Sequence, residues 1–412
     1  MPFVRQCIYT LSMQYLIRRI RNPYFLIGGA LLLAGVYLFS AFVAEGASPS
    51  VYTSTQTVAQ LQAKYGAAGQ GGPKVKILIV PGHEPDFGGT EYLDIKEREV
   101  NVAIADQLAV QLAKDPRFDV IVARSGTSWN SALTEYFATQ WNAITAFITR
   151  KKTESVNTQA TPPEFQASHN AAPTDVATRL YGITKWANEN GVDIAIHVHL
   201  NDAGDHAEGD VGNQSGFAVY VPDASFGNAL SSRALGTAIA NELNHYNATS
   251  SLAIENLGVV SDKELIAVGA YDTASYASVL AEYAYIYESK ITNPTLRTLV
   301  ENEFANSTYR GVERFFGAKV AYYDTLALPH RFMYSPAKGS TSAETYALQT
   351  ALHRIGLYPA GGVPYYDCPV SGYMGDCTIA SIRAFQKKNG LTQTGALGPR
   401  TRATLNATWG GH

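Results

Sequence analysis

Cysteine is scarce in this chain of 412 residues, and the placement of its three cysteines excludes one class of site. Cys7 lies near the N-terminus, whereas Cys368 and Cys377 lie close together near the C-terminus. A zinc site built on CxxC pairs is excluded, because the spacing is wrong and no further cysteine is available. An isolated pair in an exported domain predicts a disulfide, here between Cys368 and Cys377.

Charge is also sparse, and neither sign dominates. Charged residues make up 16% of the chain and the formal net charge is −3, so composition gives no indication of a basic patch, and we expect no nucleic-acid partner. Hydrophobic residues make up 46%, which excludes a disordered chain and fits a globular exported protein.

Charge is absent altogether from Phe25–Ala44, a stretch of 20 residues that is long enough to cross a bilayer. Four arginines precede it, and no lysine or arginine follows until Lys64. The positive-inside rule therefore predicts a single-pass protein of the cytoplasmic membrane. Residues 1–22 are expected in the cytoplasm, 23–44 as the anchor, and the rest outside, in the periplasm or cell wall. The alternative is a cleaved signal peptide, since Ala44-Glu45-Gly46 resembles a cleavage site.

Short apolar runs alternate with amphipathic stretches from Lys74 onward, after a segment at 45–73 whose Ser, Thr, Gln, Ala and Gly content is typical of a tether. This order predicts a doubly wound α/β domain with a mostly parallel sheet at residues 74–317. The predicted elements are strands at Val75–Val80, Asp119–Ala123, Asp193–Val198 and Phe217–Val221 and one ending at Glu282, and helices at Glu99–Lys114, around Val176–Ile183, at Ser231–Asn244 and at Pro294–Phe316.

A long insert at residues 125–174 interrupts this alternation. Trp129–Arg150 is expected to be helical and Lys151–Pro173 to be a polar loop. Together they form either a lid that a protein regulator moves or a peripheral addition. If the insert is a lid, deletion of Ser128–Pro173 is expected to raise activity.

The C-terminal part has its own helical pattern. Residues 318–341 contain scattered prolines and predict a linker. Residues 342–408 predict a small all-α domain of three helices, in which the disulfide ties the loop between the first two.

Three apolar runs each end close to a histidine or an acid. The runs and the residues that follow them are Ile77–Val80 with His83, Ile194–Val198 with His199, and Ser278–Ala281 with Glu282. Such runs are typical of buried parallel strands, and sites in open α/β sheets form beyond the carboxyl ends of the strands. The pattern predicts that these side chains meet at one edge of the sheet.

His83, Glu97 and His199 supply three nitrogen and oxygen ligands, the kind of set with which zinc hydrolases leave one position for water. The sequence therefore predicts Zn²⁺ as a cofactor. A zinc-bound water loses a proton near neutral pH, and Glu282 is expected to polarise that water and pass the proton to the leaving amine.

Each of these residues also has a structural explanation. A lone histidine is more often a hydrogen-bonded structural residue than a ligand, and Glu97 fits a solvated acid at the start of a helix. Glu282 fits an acid that pairs with a lysine. His197 lies on the same side of its strand as His199, so it either supports the ligands from behind or takes the place of His199.

The segment ILIVPGHEPDFGG…KEREVNVAIADQLA resembles the start of the zinc-dependent N-acetylmuramoyl-L-alanine amidases. DIAIHVHLND resembles the second histidine segment of that family, with His199-Leu200-Asn201 matching a His-x-Asn pattern, and SVLAEYAYI resembles its last strand. The resemblance covers about Val75–Phe316. It implies that His83, Glu97 and His199 bind zinc, that Glu282 is the catalytic acid and base, and that Asn201 lies beside the ligands. The implied reaction is hydrolysis of the amide joining N-acetylmuramic acid to L-alanine.

The segments ALQTALHRIGL and GDCTIASIRAFQKKNGLTQTGALGPRTRATL resemble the small helical peptidoglycan-binding module. The match covers most of Ser342–Asn406. It implies that peptidoglycan is the partner of this domain as well as the substrate of the first.

Two other functions stay open. A zinc carboxypeptidase or endopeptidase acting on the stem peptides would use His83 and Asp86 as a ligand pair, with His197 or His199 as the third ligand. A catalytically inactive wall-binding scaffold is the other, because Tyr283-Ala284 stands after Glu282 where the amidase family tends to have Gly-Phe.

Overall fold

The computed structural model describes residues 57–157, 172–318 and 330–409, except 205, 208, 365 and 366. The predicted cytoplasmic segment, the predicted membrane anchor and the first part of the predicted tether lie outside these residues. Within the described ranges, no helix is long and apolar enough to cross a membrane.

A six-stranded sheet forms the centre of the larger domain. The strands in chain order are β1 (Val75–Pro81), β2 (Glu91–Tyr92), β3 (Ile95–Lys96), β4 (Phe118–Val122), β5 (Ile194–Asn201), β6 (Ala218–Pro222), β7 (Val259–Asp262) and β8 (Ala277–Tyr285). The sheet has the order β4-β1-β5-β8-β6-β7, and β2 and β3 form a separate hairpin. Strands β4, β1, β5 and β8 are parallel, whereas β6 pairs antiparallel with β8. The mostly parallel α/β sheet is thus confirmed, although β7 and the hairpin were not predicted.

Helices cover both faces of this sheet. They are α1 (Val58–Ala68), α2 (Glu97–Leu112), α3 (Ser131–Asn157), α4 (Thr174–Glu189), α5 (Ala229–Leu243), α6 (Ser289–Thr292) and α7 (Pro294–Phe315). Alternate residues of β1 show the two layers, because successive side chains of a strand point to opposite faces. Ile77 and Ile79 lie in the buried cluster that contains α2 and α7, whereas Leu78 and Val80 lie in the cluster that contains α3 and α4.

Helix α1 differs from the expectation of a tether at 45–73. Thr57 caps it, since its hydroxyl accepts from the Gln60 amide while the Gln60 side chain accepts from the Thr57 amide. Leu61 and Tyr65 are buried, and the Tyr65 ring stacks on Phe316 at 4.5 Å. A helix with two buried residues has too little apolar periodicity for its composition to indicate packing.

Helix α3 is longer than the helix predicted in the insert, because Lys151–Asn157 is helical and not a loop. Its buried side chains Leu133, Phe137, Ile144 and Phe147 face the domain, and three of them belong to the cluster that also holds α4. The described part of the insert is therefore built into the second layer of the fold. Residues 158–171 of the insert lie outside the described residues.

The C-terminal domain contains the three predicted helices, α8 (Ala343–Arg354), α9 (Asp376–Lys388) and α10 (Pro399–Trp409). A disulfide joins Cys368 to Cys377, as predicted. The domain shares one hydrophobic cluster with α7 of the larger domain. Gly372 shows how closely they pack, because a Cβ atom on it would lie 2.4 Å from the side chain of Leu296.

Candidate metal centre

The turn after β1 carries His83 into the edge of the sheet. The amide of Gly82 donates to the carbonyl of Val198 at 2.8 Å, which ties the turn to β5. Gly82 has no room for a side chain, since a Cβ atom would lie 2.3 Å from Cε1 of His199. His83 has a φ of 69°, a left-handed conformation that is uncommon outside glycine. The turn therefore brings the two imidazoles within reach of one another at a cost in backbone strain.

Glu97 is the first residue of α2, directly after the hairpin. Its side chain is buried, and backbone amides hold both of its oxygens. The amide of Thr90 donates to Oε2 at 2.9 Å, and the amide of Leu200 donates to Oε1 at 3.1 Å. Thr90 ends the loop that follows His83, and Leu200 follows His199 on β5, so the two donors fix the carboxylate between these segments.

His83, Glu97 and His199 offer ligand atoms that all lie within 4.8 Å of one another. Nε2 of His83 is 2.8 Å from Oε2 of Glu97, and Nδ1 of His199 is 3.1 Å from Oε1. Burial opposes ionisation of Glu97, but its contacts with the two histidines hold the pKa of the carboxyl well below its usual range. Burial lowers the pKa of His199, which favours the neutral imidazole that a metal requires.

His197 and Asp86, the alternative ligands, stay outside this group of three. His197 is buried behind His199 with its Nε2 unpartnered, and burial together with His199 lowers its pKa to about 3. Asp86 is exposed on the loop after His83. The geometry therefore favours Glu97 over Asp86 beside His83, and it leaves His197 in a supporting position.

Glu282 lies on β8 directly beside His199 of β5 in the parallel register. The strand continues past it to Tyr285 instead of ending there. Its Oε2 is buried and has no hydrogen-bond partner among the described residues. Burial raises the pKa of Glu282 well above its usual value, and the nearby carboxylates of Glu97 and Glu255 raise it further. The position of this carboxyl beside the ligand candidates makes it a candidate for proton transfer.

Asn201 reaches a buried acid that sequence patterns did not indicate. Its Nδ2 lies 3.0 and 3.2 Å from the two oxygens of Glu255. The hydroxyls of Tyr220 and Tyr285 donate to the same carboxylate at 2.5 and 3.0 Å. Asn201 therefore anchors the end of β5 through Glu255 instead of joining the three ligand candidates. Neither the spacing nor the local sequence around Glu255 gave a signal for this contact.

Arg124 is a second residue that sequence reasoning missed. It is 2% exposed, and it makes no ion pair with any described residue. Its Nε donates to the carbonyl of Pro81 at 3.0 Å, and Nη2 donates to the carbonyls of Gly82 and Arg98. One guanidinium thus joins the turn that carries His83 to the helix start that carries Glu97. Burial lowers the pKa of Arg124 to about 10, so it remains charged at neutral pH.

A cavity of about 470 Å³ opens beside the three ligand candidates. His83, His197, His199 and Glu282 lie on its wall. From the described part of the insert, only Trp129, Ala172 and Pro173 line it, and no residue of α3 does. Within the described residues, α3 therefore does not line the cavity, and the lid stays a prediction.

Comparison with known families gives two matches. Residues 77–314, more than half of the chain, match the model of a family described as N-acetylmuramoyl-L-alanine amidase. Residues 341–405 match a family of peptidoglycan binding domains. A search among curated proteins finds no match.

Several solved amidase structures are similar to this chain at low identity. The CwlD amidase from Clostridioides difficile in complex with the GerS lipoprotein is 14% identical, with a TM-score of 0.40 over 59% of this chain and 99% of its own. AmiC2 of Nostoc punctiforme is 17% identical, with a TM-score of 0.38 over 59% and 98%. Ami1 from Mycobacterium smegmatis is 13% identical, with a TM-score of 0.39 over 60% and 99%. Family membership accordingly rests on the match over residues 77–314.

Proposed function

This chain belongs to the N-acetylmuramoyl-L-alanine amidase family, and we propose that it acts with a zinc ion held by His83, Glu97 and His199. As a member of that family it hydrolyses the amide bond between N-acetylmuramic acid and L-alanine in peptidoglycan. The observation that carries the zinc proposal is the convergence of three ligand atoms within 4.8 Å. Two imidazoles and one carboxylate form a donor set that catalytic zinc commonly uses.

An unsatisfied atom supports the fit to a metal. Nε2 of His83 is buried and lies 2.8 Å from Oε2 of Glu97, but among the described residues it makes no hydrogen bond of good geometry. Two ligands of one ion approach each other in this way, because their lone pairs point to the metal instead of to each other. Gly89 keeps the space clear, since a Cβ atom there would lie 2.8 Å from the His83 ring.

The remaining chemistry belongs to residues of the chain. When bound, zinc lowers the pKa of a water and polarises the carbonyl of the amide. Glu282 is placed to take a proton at its unpartnered Oε2 and to deliver it to the nitrogen that leaves with L-alanine. The amides of Thr90 and Leu200 keep Glu97 oriented, and the Asn201–Glu255 contact fixes the end of β5.

We further propose that residues 23–44 anchor the chain in the cytoplasmic membrane, which the uncharged apolar stretch supports. Both matched domains act on peptidoglycan, so the chain functions outside the cytoplasm. A wall-binding domain on the same chain raises the effective concentration of the catalytic site at an insoluble substrate. A regulator acting on residues 125–174 stays a proposal, and it would have to act through the insert's packing beside the cavity.

Zinc content of the purified full chain tests the proposal. We expect about one zinc ion per chain, and loss of that ion in His199→Ala, because removing one of three protein ligands weakens the site. His245→Ala, a histidine that does not line the cavity, is the matched control and should retain the metal. A His199→Ala protein that keeps its zinc would refute this ligand set.

Analysis of the wall products separates the amidase from its rivals. An amidase releases stem peptides with a new N-terminal L-alanine and leaves the glycan intact. Cuts inside the stem peptide would instead indicate a peptidase. If the parent protein binds no zinc and releases no product, the chain is a wall-binding scaffold.

A further inference from the structure

One side of the catalytic cavity is built from apolar side chains. Its members come from the insert, from α4, from the loop after β7 and from β8, and we name this set the apolar wall: Trp129, Val176, Leu180, Leu265, Ile266 and Leu280. Trp129, Val176, Leu180 and Leu265 are only partly buried in the described structure. A bound substrate would therefore remove apolar surface from water here.

No lysine or arginine is among the described residues that line this cavity. The acids on its wall are Glu84 and Glu282. Arg179 lies on α4 next to the apolar wall, and its guanidinium is paired with two acids. Its Nε donates to Glu84 at 2.8 Å and its Nη2 to Asp175 at 2.8 Å. Trp129 also donates to Glu84 at 3.1 Å, so both oxygens of that carboxylate accept a hydrogen bond.

A second guanidinium near the rim is engaged in the same way. Arg98 lies 2.6 Å from Glu91 and donates to the carbonyl of Gly88. Arg124 is buried, with its donors on backbone carbonyls. Arg98, Arg124 and Arg179 are thus each paired with an acid or with backbone carbonyls, and none of them lines the cavity. The segment 158–171 contains no lysine or arginine in its sequence.

A carboxylate that lies against the apolar wall, away from the proposed metal, loses water and gains no cationic side chain from the described lining residues, which is costly. Sites that recognise carboxylates usually supply an arginine fork or a lysine. A carboxamide of the same shape loses much less hydration free energy and can still accept or donate a neutral hydrogen bond. The cavity therefore discriminates by charge more than by size.

Peptidoglycan stems occur in two forms that differ in this property. The residue after L-alanine carries either a free α-carboxylate or an α-carboxamide. Building on the proposed amidase function, we propose that the apolar wall holds the stem just beyond L-alanine and selects the uncharged, carboxamide form. The selected class of substrate is thus amidated peptidoglycan.

Digestion of two wall preparations tests this selection. They come from one bacterial strain with and without stem amidation, and the full chain is given the same bound amount on each. We expect product release at least about tenfold faster from the amidated wall, because the carboxylate lacks a partner in the cavity. Equal rates, or a faster rate on the carboxylate wall, would overturn the selection. If neither wall is digested, the proposed amidase function itself fails, so the two failures are distinct.

A cation placed on the apolar wall should weaken the selection. Leu180→Arg is expected to raise the rate on the carboxylate wall and bring the ratio of the two rates towards one. Leu180→Gln, which adds polarity without charge, should leave the preference for the amidated wall. Val110→Arg adds the same charge on an exposed face of α2 and should behave as the parent.

Val176→Arg repeats the test one helical turn earlier, in case Leu180→Arg lowers stability. Zinc content and melting temperature establish that each variant is folded. If both folded arginine variants keep the parental ratio, the stem does not lie against the apolar wall and the proposal is wrong.

Discussion

Asp115 and Glu282 are both carboxyl groups inside the larger domain. Asp115 lies where α1 packs against the domain, and Glu282 lies at the edge of the sheet beside the three ligand candidates. Asp115 accepts from Nε and Nη2 of Arg117 and from the hydroxyl of Tyr65 at 2.7 Å. Burial opposes its ionisation, but the guanidinium lowers its pKa to about 2. Oε2 of Glu282 has no donor among the described residues, and burial raises the pKa of this carboxyl.

This difference shows what separates a structural acid from a chemical one. An acid that is paired with a cation stays charged over the physiological range and contributes to folding. An acid that is buried without a donor can gain or lose a proton during a reaction. Keeping it buried in this state lowers the free energy of unfolding. Burial alone therefore does not distinguish the two acids, and the catalytic role proposed for Glu282 depends on its unused oxygen and its position beside the ligand candidates.

Replacement of Glu282 should produce the largest effect. Glu282→Gln keeps the shape of the side chain but cannot carry the proton, so we expect wall digestion to fall by roughly 10²–10⁴-fold. Zinc content should be unchanged. Glu135→Gln, on the exposed side of α3, is the matched control. Equal product release by Glu282→Gln and the parent would remove Glu282 from the mechanism.

Replacement of Arg124 should have the next largest effect, and the same replacement of Arg117, the partner of Asp115, should leave the site unchanged. A lysine at position 124 keeps the charge but cannot reach three carbonyls at once. We expect Arg124→Lys to weaken zinc binding by roughly 10–100-fold, as removal of groups that orient ligands usually does. Arg117→Lys, at α1, should leave the zinc dissociation constant unchanged while lowering the melting temperature. An unchanged zinc affinity in Arg124→Lys would mean that the guanidinium only fills space.

The smallest effect concerns stability and its dependence on pH. Asp115→Asn should lower the free energy of unfolding by about 2 kcal/mol at neutral pH, because it removes a charged hydrogen-bond acceptor. The folded pKa is depressed, so this contribution is present above the ordinary value of 3.8 and is lost as the pH falls towards about 2. Tyr65, Arg117 and Glu313 surround the group and are the same in both proteins.

Denaturant unfolding of the parent and of Asp115→Asn between pH 7 and pH 2 measures this difference. The two curves should converge at the acid end. A constant gap across the whole range would show that the loss is one of packing and not of charge. Wall digestion at neutral pH should be the same for both proteins.

Sequence patterns anticipated the parts of the molecule that depend on strand periodicity. The ends of β1 and β5 and the body of β8 brought His83, His199 and Glu282 to one edge, as the apolar runs indicated. The contacts of Arg124 with Pro81 and of Asn201 with Glu255 join residues that are 43 and 54 positions apart in the chain. Such contacts cannot be predicted from hydrophobic periodicity, because each involves single polar residues that are far apart in the sequence.

The errors follow from the same cause. Helix α1 buries only Leu61 and Tyr65, so its composition matched that of a tether. The loop expected at Lys151–Pro173 begins as helix, because α3 runs on to Asn157. Phe137 and Ile144 of this helix belong to a core that forms only when α4 packs against them. Pairing between distant segments decides such cases, and local composition does not report it.

The shared core between α7 and the C-terminal domain has a consequence for how the enzyme meets its polymer. Leu296 and Leu348 belong to the same hydrophobic cluster, and Arg354 donates to the Tyr246 hydroxyl across the junction. The C-terminal domain and the catalytic domain are therefore packed against one another in the described structure. We therefore expect a chain that is attached through its C-terminal domain to present the cavity at a set distance from the point of attachment.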